Sequence, residues 1–213
     1  MGYYTINEST NNILQITQRG DLHTMTESSY KLRMMIISAL FAAIIGVLAQ
    51  VTVPLPLVPI TGQTLAIGLA ATILGARYGT LSVLIYLCMG AIGIPIFAQM
   101  SGGLGILVGP TGGYLIGFIP TALIIGFFLE KTSFTVKNAI IANVIGMFIA
   151  LTFGTVWLKV IANISWTAAF TGGFAPFLLV GLIKATLAAW AGITVRNRLK
   201  STNLLYAWSA EVK

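Results

Sequence analysis

The stretch Gln63-Thr64-Leu65-Ala66-Ile67-Gly68-Leu69-Ala70-Ala71-Thr72-Ile73-Leu74, then Gly75-Ala76-Arg77-Tyr78-Gly79, then Thr80-Leu81-Ser82-Val83-Leu84-Ile85-Tyr86-Leu87-Cys88 decides how this chain is folded. Two apolar runs flank a five-residue turn with one arginine and two glycines. The first run is short against the roughly 20 residues of a membrane crossing; the second continues to Ile96. Read as two spans, they predict a reversal at Arg77 and an even number of crossings. Dropping either one would move every later loop to the other side.

Four fuller runs surround this pair: Met34 to Val53, Tyr114 to Leu129, Ala139 to Leu158 and Phe174 to Val195. The sequence therefore predicts an all-α integral membrane protein of six transmembrane helices, residues 34–195, with polar tails at 1–33 and 196–213. The first tail holds His23 and lacks the apolar core of a signal peptide. With both termini in the cytoplasm, the inner segments carry Lys31, Arg33, Arg77, Lys131, Lys137, Arg196, Arg198 and Lys200, and the outer loops carry only Lys159. That asymmetry is the positive-inside pattern of a multi-pass membrane protein.

Composition agrees. Of 213 residues, 57% are hydrophobic and 8% charged, against roughly 25% charged in soluble domains. The mean hydropathy of +0.92 excludes an ordinary soluble protein and a disordered one. The net charge of +7 is dispersed along the chain, which argues for membrane topology and lipid as the surroundings and against nucleic acid as a partner. Cys88 is the single cysteine, so no internal disulfide can form.

The outer loops are unusual. Val53 to Gln63 carries three prolines at 54, 56 and 59, which stiffen an extended path. Gln99 to Tyr114 is rich in glycine, and the third loop holds Trp166, Phe170, Gly172 and Gly173. Each alone reads as an interfacial connector; together on one face they read as a lid over a pocket.

Lys184 lies ten residues into the last span and twelve before Arg196, roughly 15 Å from either end and too deep to snorkel comfortably. An unpaired ammonium there costs at least about 2.5 kcal/mol. No span contains Asp or Glu, and Glu130 stands at a boundary. Two readings are open: a ligand carboxylate arriving from outside, or a lysine satisfied by backbone carbonyls, water or an altered protonation state. Gln63, Thr64, Gln99, Tyr114, Asn143 and Asn163 offer uncharged hydrogen bonds to the same cavity, or serve helix packing. Tyr86, Phe97, Trp157 and Trp166 read either as ligand walls or as interfacial anchors. In the first span Ala39 and Ala43 share a face, beside Ala42 and Gly46; spacing alone favours internal packing, with a partner membrane protein as the alternative.

Catalytic groups are missing. There is no membrane histidine, carboxylate pair, Gly-x-Ser-x-Gly, cysteine cluster or Walker A sequence. The sequence gives no support for an enzyme or a cofactor, and if the protein drives uphill uptake with ATP, another subunit must hydrolyse it.

Pro59-Ile60-Thr61-Gly62-Gln63-Thr64, Leu74 to Gly79, Tyr86-Leu87, Gly90, Gly93-Ile94-Pro95-Ile96-Phe97-Ala98 and Gly109-Pro110-Thr111-Gly112-Gly113-Tyr114 through Phe118 resemble the BioY family, the biotin-specific S components of energy-coupling factor (ECF) transporters, over residues 34–195. The resemblance implies a six-helix S-component bundle that captures biotin outside and delivers it inward. It implies substrate contacts from Lys184, Gln63, Thr61, Gln99, Gly112, Gly113, Tyr114, Phe97, Asn143 and Asn163. It also implies a transmembrane coupling protein meeting Ala39 and Ala43, two cytoplasmic ATPases, and reorientation of the whole subunit during transport. Pro176-Phe177 and Lys184 match the family's last-span pattern, while Gly181 stands where the family typically places Asp. That departure leaves open another small carboxylated metabolite as ligand. A stand-alone channel or membrane scaffold is the reading from a different class.

Overall fold

The computed structural model describes residues 30–201, so the expectations for residues 1–29 and 202–213, His23 included, lie outside the described residues. The first helix, α1, covers Tyr30–Ala49. Two short strands follow, β1 (Thr52–Val53) and β2 (Ile60–Thr61), then α2 (Gln63–Ala91). After them come α3 (Leu104–Val108), α4 (Gly112–Lys131), α5 (Val136–Ile161), α6 (Trp166–Gly173) and α7 (Ala175–Ser201).

The deciding stretch folds as a hairpin. α2 is broken at Gly75, whose φ of 82° and ψ of −172° lie in a region essentially reserved for glycine. The Gln63 side-chain amide donates to the Tyr86 hydroxyl, although 23 residues of continuous helix would separate them by about 35 Å. The arms before and after Gly75 therefore lie side by side, and a Cβ on Gly79 would come within 2.7 Å of Ala71 Cα. Five helices are long and apolar enough to cross a membrane; with α2 folded back on itself, the described chain makes six passes.

Hydrogen bonds tie the passes into one bundle. Ser38 Oγ donates to the Tyr78 carbonyl, binding α1 to the second arm of α2. Gly126 packs directly on the Ala76 backbone, bringing α4 to the hairpin. Thr121 Oγ1 faces the Gly146 carbonyl at 3.2 Å between α4 and α5. Tyr30 and Leu199 pack on one cluster with Met34, Ile73, Leu74 and Tyr78, so the two ends of the described chain lie together. This is the terminal end, and the opposite one is the loop end. Leu40, Val47, Phe127, Phe148, Leu179 and Trp190 remain exposed on the bundle's flanks, the apolar exterior that hydrocarbon requires.

Several boundaries differ from the sequence reading. α1 begins at Tyr30 and α7 continues through Ser201, and the added turns pack Tyr30 and Leu199 on the cluster at the terminal end. The second arm of α2 stops at Ala91, short of Ile96, since Gly93 turns the chain at φ 101° and Pro95 follows. Ahead of α2, Ile60–Thr61 pairs with Thr52–Val53 as an antiparallel hairpin. The third loop contains a helix, α6, which Ser165 caps by accepting from Ala168 N.

Candidate functional site

Between the hairpin and α4, α5 and α7 lies a chamber of about 260 Å³, near the small end of ligand pockets. Val58, Pro59 and Thr61 from the β-hairpin and Ala98, Gln99 and Ser101 from the following loop cover it. Leu115, Phe118, Ile125, Met147, Leu151 and Phe177 form an apolar wall.

Lys184 lines this chamber from α7. Its ammonium donates to the Thr61 carbonyl at 2.6 Å, so the carbonyl reading of its partner is realised for one of its three donors. Among the described residues, no carboxylate lines the chamber. Glu130, the one carboxylate among the described residues, works at the terminal end, where Ala76 N donates to its Oε1 at 2.8 Å.

Thr61 and Gln63 act together. Thr61 Oγ1 donates to Gln63 Oε1 at 2.7 Å while the Gln63 amide NH2 reaches Tyr86. Tyr86 meets Phe97 edge to face, with ring centroids 5.4 Å apart, and Phe97 is a buried wall of the chamber. Tyr114 also lines the chamber; its hydroxyl donates to the Gly173 carbonyl at 2.6 Å and its ring lies over Phe177. Gln99 stands exposed at the mouth with φ 58°. Asn143 lines the chamber deeper in, but its NH2 is taken by Thr72 Oγ1 and the Ala139 carbonyl.

Three expected contacts lie elsewhere. Asn163 is exposed in the turn after α5, with φ 50°. Gly112 and Gly113 are buried in packing rather than beside the chamber: Gly112 sits under Leu107, and Gly113 lets α4 approach Trp157 and Phe153 of α5. The neighbours Thr111 and Tyr114 face the cavity instead. Trp157 is a structural donor to the Gly109 carbonyl at 2.9 Å, and Trp166 is exposed beside Lys159. Tyr86 packs in the core rather than anchoring at an interface.

On α1, Ala42 and Gly46 pack inward, whereas Ala39 and Ala43 are exposed. The internal-packing reading of that pair is therefore corrected. Sequence reasoning passed over Gln50, at the end of α1, whose side chain grips the loop that carries Phe97 and Gln99. A polar residue closing an apolar run was the only available signal.

A helical bundle with an apolar exterior, a closed terminal end and a roofed chamber holding one cation defines a class: membrane-embedded proteins that bind a small solute. The BioY family model matches residues 22–201, and the chain belongs to the BioY family. It is 40% identical over 173 residues to "Biotin transporter BioY2" of Lactococcus lactis subsp. cremoris, covering 81% of this chain and 95% of that one. It is 40% identical over 167 residues to "Biotin transporter BioY" of Thermotoga maritima, covering 78% and 97%. The crystal structure of an S-component for biotin from an ECF-type ABC transporter superposes with a TM-score of 0.72 at 31% identity, covering 78% of this chain and 92% of that one.

Proposed function

We propose that this chain is the biotin-binding membrane subunit of an ECF-type vitamin uptake transporter, taking biotin into the chamber at its loop end for delivery to the cytoplasm. The observation that carries the reading is the lone ammonium of Lys184 in an otherwise uncharged, largely apolar chamber of metabolite size. An apolar ring system suits the walls and a carboxylate suits the cation. The printed names of the relatives and of the superposed S-component point to the same cargo.

Each atom at the site has a role in this reading. Lys184 pairs with the cargo carboxylate while retaining the Thr61 carbonyl, so the β-hairpin and the cargo share one cation. Phe97, Tyr114 and Phe177 enclose the apolar body. Thr61, Gln63 and Gln99 supply neutral donors and acceptors, and Asn143 takes part through its remaining amide oxygen. Gly112, Gly113 and Asn163 act only through the packing and turns they build.

The test removes the charge. Lys184→Ala is expected to weaken biotin binding by about 30-fold or more, the effect of roughly 2 kcal/mol for losing one partner of a buried charge pair. Binding of biotinamide, which has no carboxylate, is expected to change far less. Equal losses in the two titrations would remove the charge pairing from the proposal. A second cargo, another small carboxylated metabolite, is favoured by one observation: at Gly181 the space beside α7 is taken by the Met147 thioether, leaving no acid to receive ligand N–H groups. Competition of labelled biotin by a vitamin panel separates the two.

Energy comes from partners in this reading: a coupling protein in the membrane and two ATPases. The exposed Ala39 and Ala43 give α1 a shallow face against which another helix can approach closely. Ala39→Trp is expected to abolish copurification with the coupling protein while leaving biotin binding within about twofold, in line with a surface substitution.

A further inference from the structure

We propose that Gln50 is a positioning residue for the mouth of the chamber: it touches no part of the cavity, yet holds the loop that supplies one wall and one rim residue. The inference rests on the reading of the chamber as the biotin site.

Gln50 is partly buried just past the end of α1. Its NH2 faces three carbonyls, of Gly46 at 3.2 Å, Ile96 at 3.3 Å and Phe97 at 3.0 Å. Its Oε1 accepts from Met100 N at 2.9 Å. One side chain thus bonds its own helix and both sides of the 97–100 turn.

That turn needs holding. Gln99 and Met100 both adopt left-handed backbone, at φ 58° and 55°, which costs an ordinary residue energy that the surroundings must supply. Met100 is itself 68% exposed, so its side chain supplies little. The other restraints are the Phe97–Ser101 bridge, the bonds from Ser101 N and Oγ to the Ala98 carbonyl, and the bond from Gly103 N to the Gly90 carbonyl. With Gln50 in place, Phe97 stays seated on Tyr86 and Gln99 stays over the mouth. The same contacts continue through Tyr86, Gln63 and Thr61 to Lys184, linking the end of α1 to the chamber cation.

The experiment uses the full chain in lipid nanodiscs, with two readouts: amide hydrogen exchange without ligand, and dissociation of radiolabelled biotin. Gln50→Met keeps length and loses every bond. Exchange at residues 96–103 is expected to rise tenfold or more with residues 73–78 unchanged, and biotin is expected to leave at least tenfold faster. Adding Met100→Gly, which relieves the left-handed strain, is expected to slow the loop exchange again. Gln50→Asn, one methylene shorter, applies the same test if the Met variant does not fold, with the same expected direction. Unchanged loop exchange, loosening shared equally with residues 73–78, absence of rescue by glycine, or unaltered biotin release each overturns the proposal. A wild-type chain that holds no biotin overturns the functional reading alone, since the exchange measurement still reports on Gln50.

Discussion

At the scale of the residue, Lys184 and Gln63 each give part of their bonding capacity to the fold. Lys184 keeps donors beyond the one it gives Thr61, and an anion in the chamber would meet them. Gln63 is half committed, one lone pair of its oxygen to Thr61 and one amide hydrogen to Tyr86, which leaves one of each for the cargo. Tyr86→Phe should therefore act through Gln63, leaving a buried amide donor unpaired at a cost of about 1–3 kcal/mol; a lower unfolding temperature in detergent would register it, and Gln63→Leu in the same background should recover part of the loss. Lys184 was legible because a cation in an apolar run stands out against its neighbours. Gln50 was not, because its importance depends on carbonyls 46 and 47 residues away. Gly112 and Gly113 misled because glycine in a sequence looks the same whether it admits a ligand or a neighbouring helix.

At the scale of the element, the reversal at Gly75 is held by a charge from another helix. Ala76 N, at the start of the second arm, donates to Glu130 of α4, a favourable place for an anion at a helix N-terminus. Arg196 of α7 donates to the Ile73 carbonyl on the other side of the break and lies over the Phe134 ring at 3.5 Å. Gly75→Ala is expected to destabilise by roughly 1–3 kcal/mol from backbone strain, with further crowding against the Glu130 carboxylate. Glu130→Ala is expected to cost about 1 kcal/mol. Thermal unfolding compares both, and faster amide exchange at residues 73–78 should locate the damage. The reversal was readable because Gly75 to Gly79 interrupts two apolar runs. The break of the second arm at Ala91 was less so, because Ile92, Ile94 and Ile96 continue the hydropathy while the backbone turns away.

At the scale of the whole molecule, charge is sorted by end. Arg77, Lys131, Lys137 and Arg196 cluster with the described termini, and Lys159 stands at the loop end beside Trp166. The terminal end is accordingly expected to face the cytoplasm. In a Cys88→Ser background, Thr167→Cys should react with an impermeant maleimide on intact cells, and Lys137→Cys only after permeabilisation; the reverse pattern would invert the topology. The six-pass plan was legible in the alternation of apolar runs and basic turns. A pocket under the outer loops was legible too; which residues close around it was only partly so, because its walls come from segments more than a hundred residues apart, as Thr61 and Lys184 are.

The base of this vessel is welded. Gly126 rests on the Ala76 backbone, and Glu130 and Arg196 fasten the two sides of the bend, while the roof is held by a two-residue strand pair, the Thr61–Lys184 bond, Gln50 and the bonds of its own turn. A vessel fastened this way at its floor is filled at its top in the proposed reading. On the same reading, cargo taken in at that end reaches the far side of the bilayer by the whole body turning over, which puts the driving force on its outer wall and not on its contents.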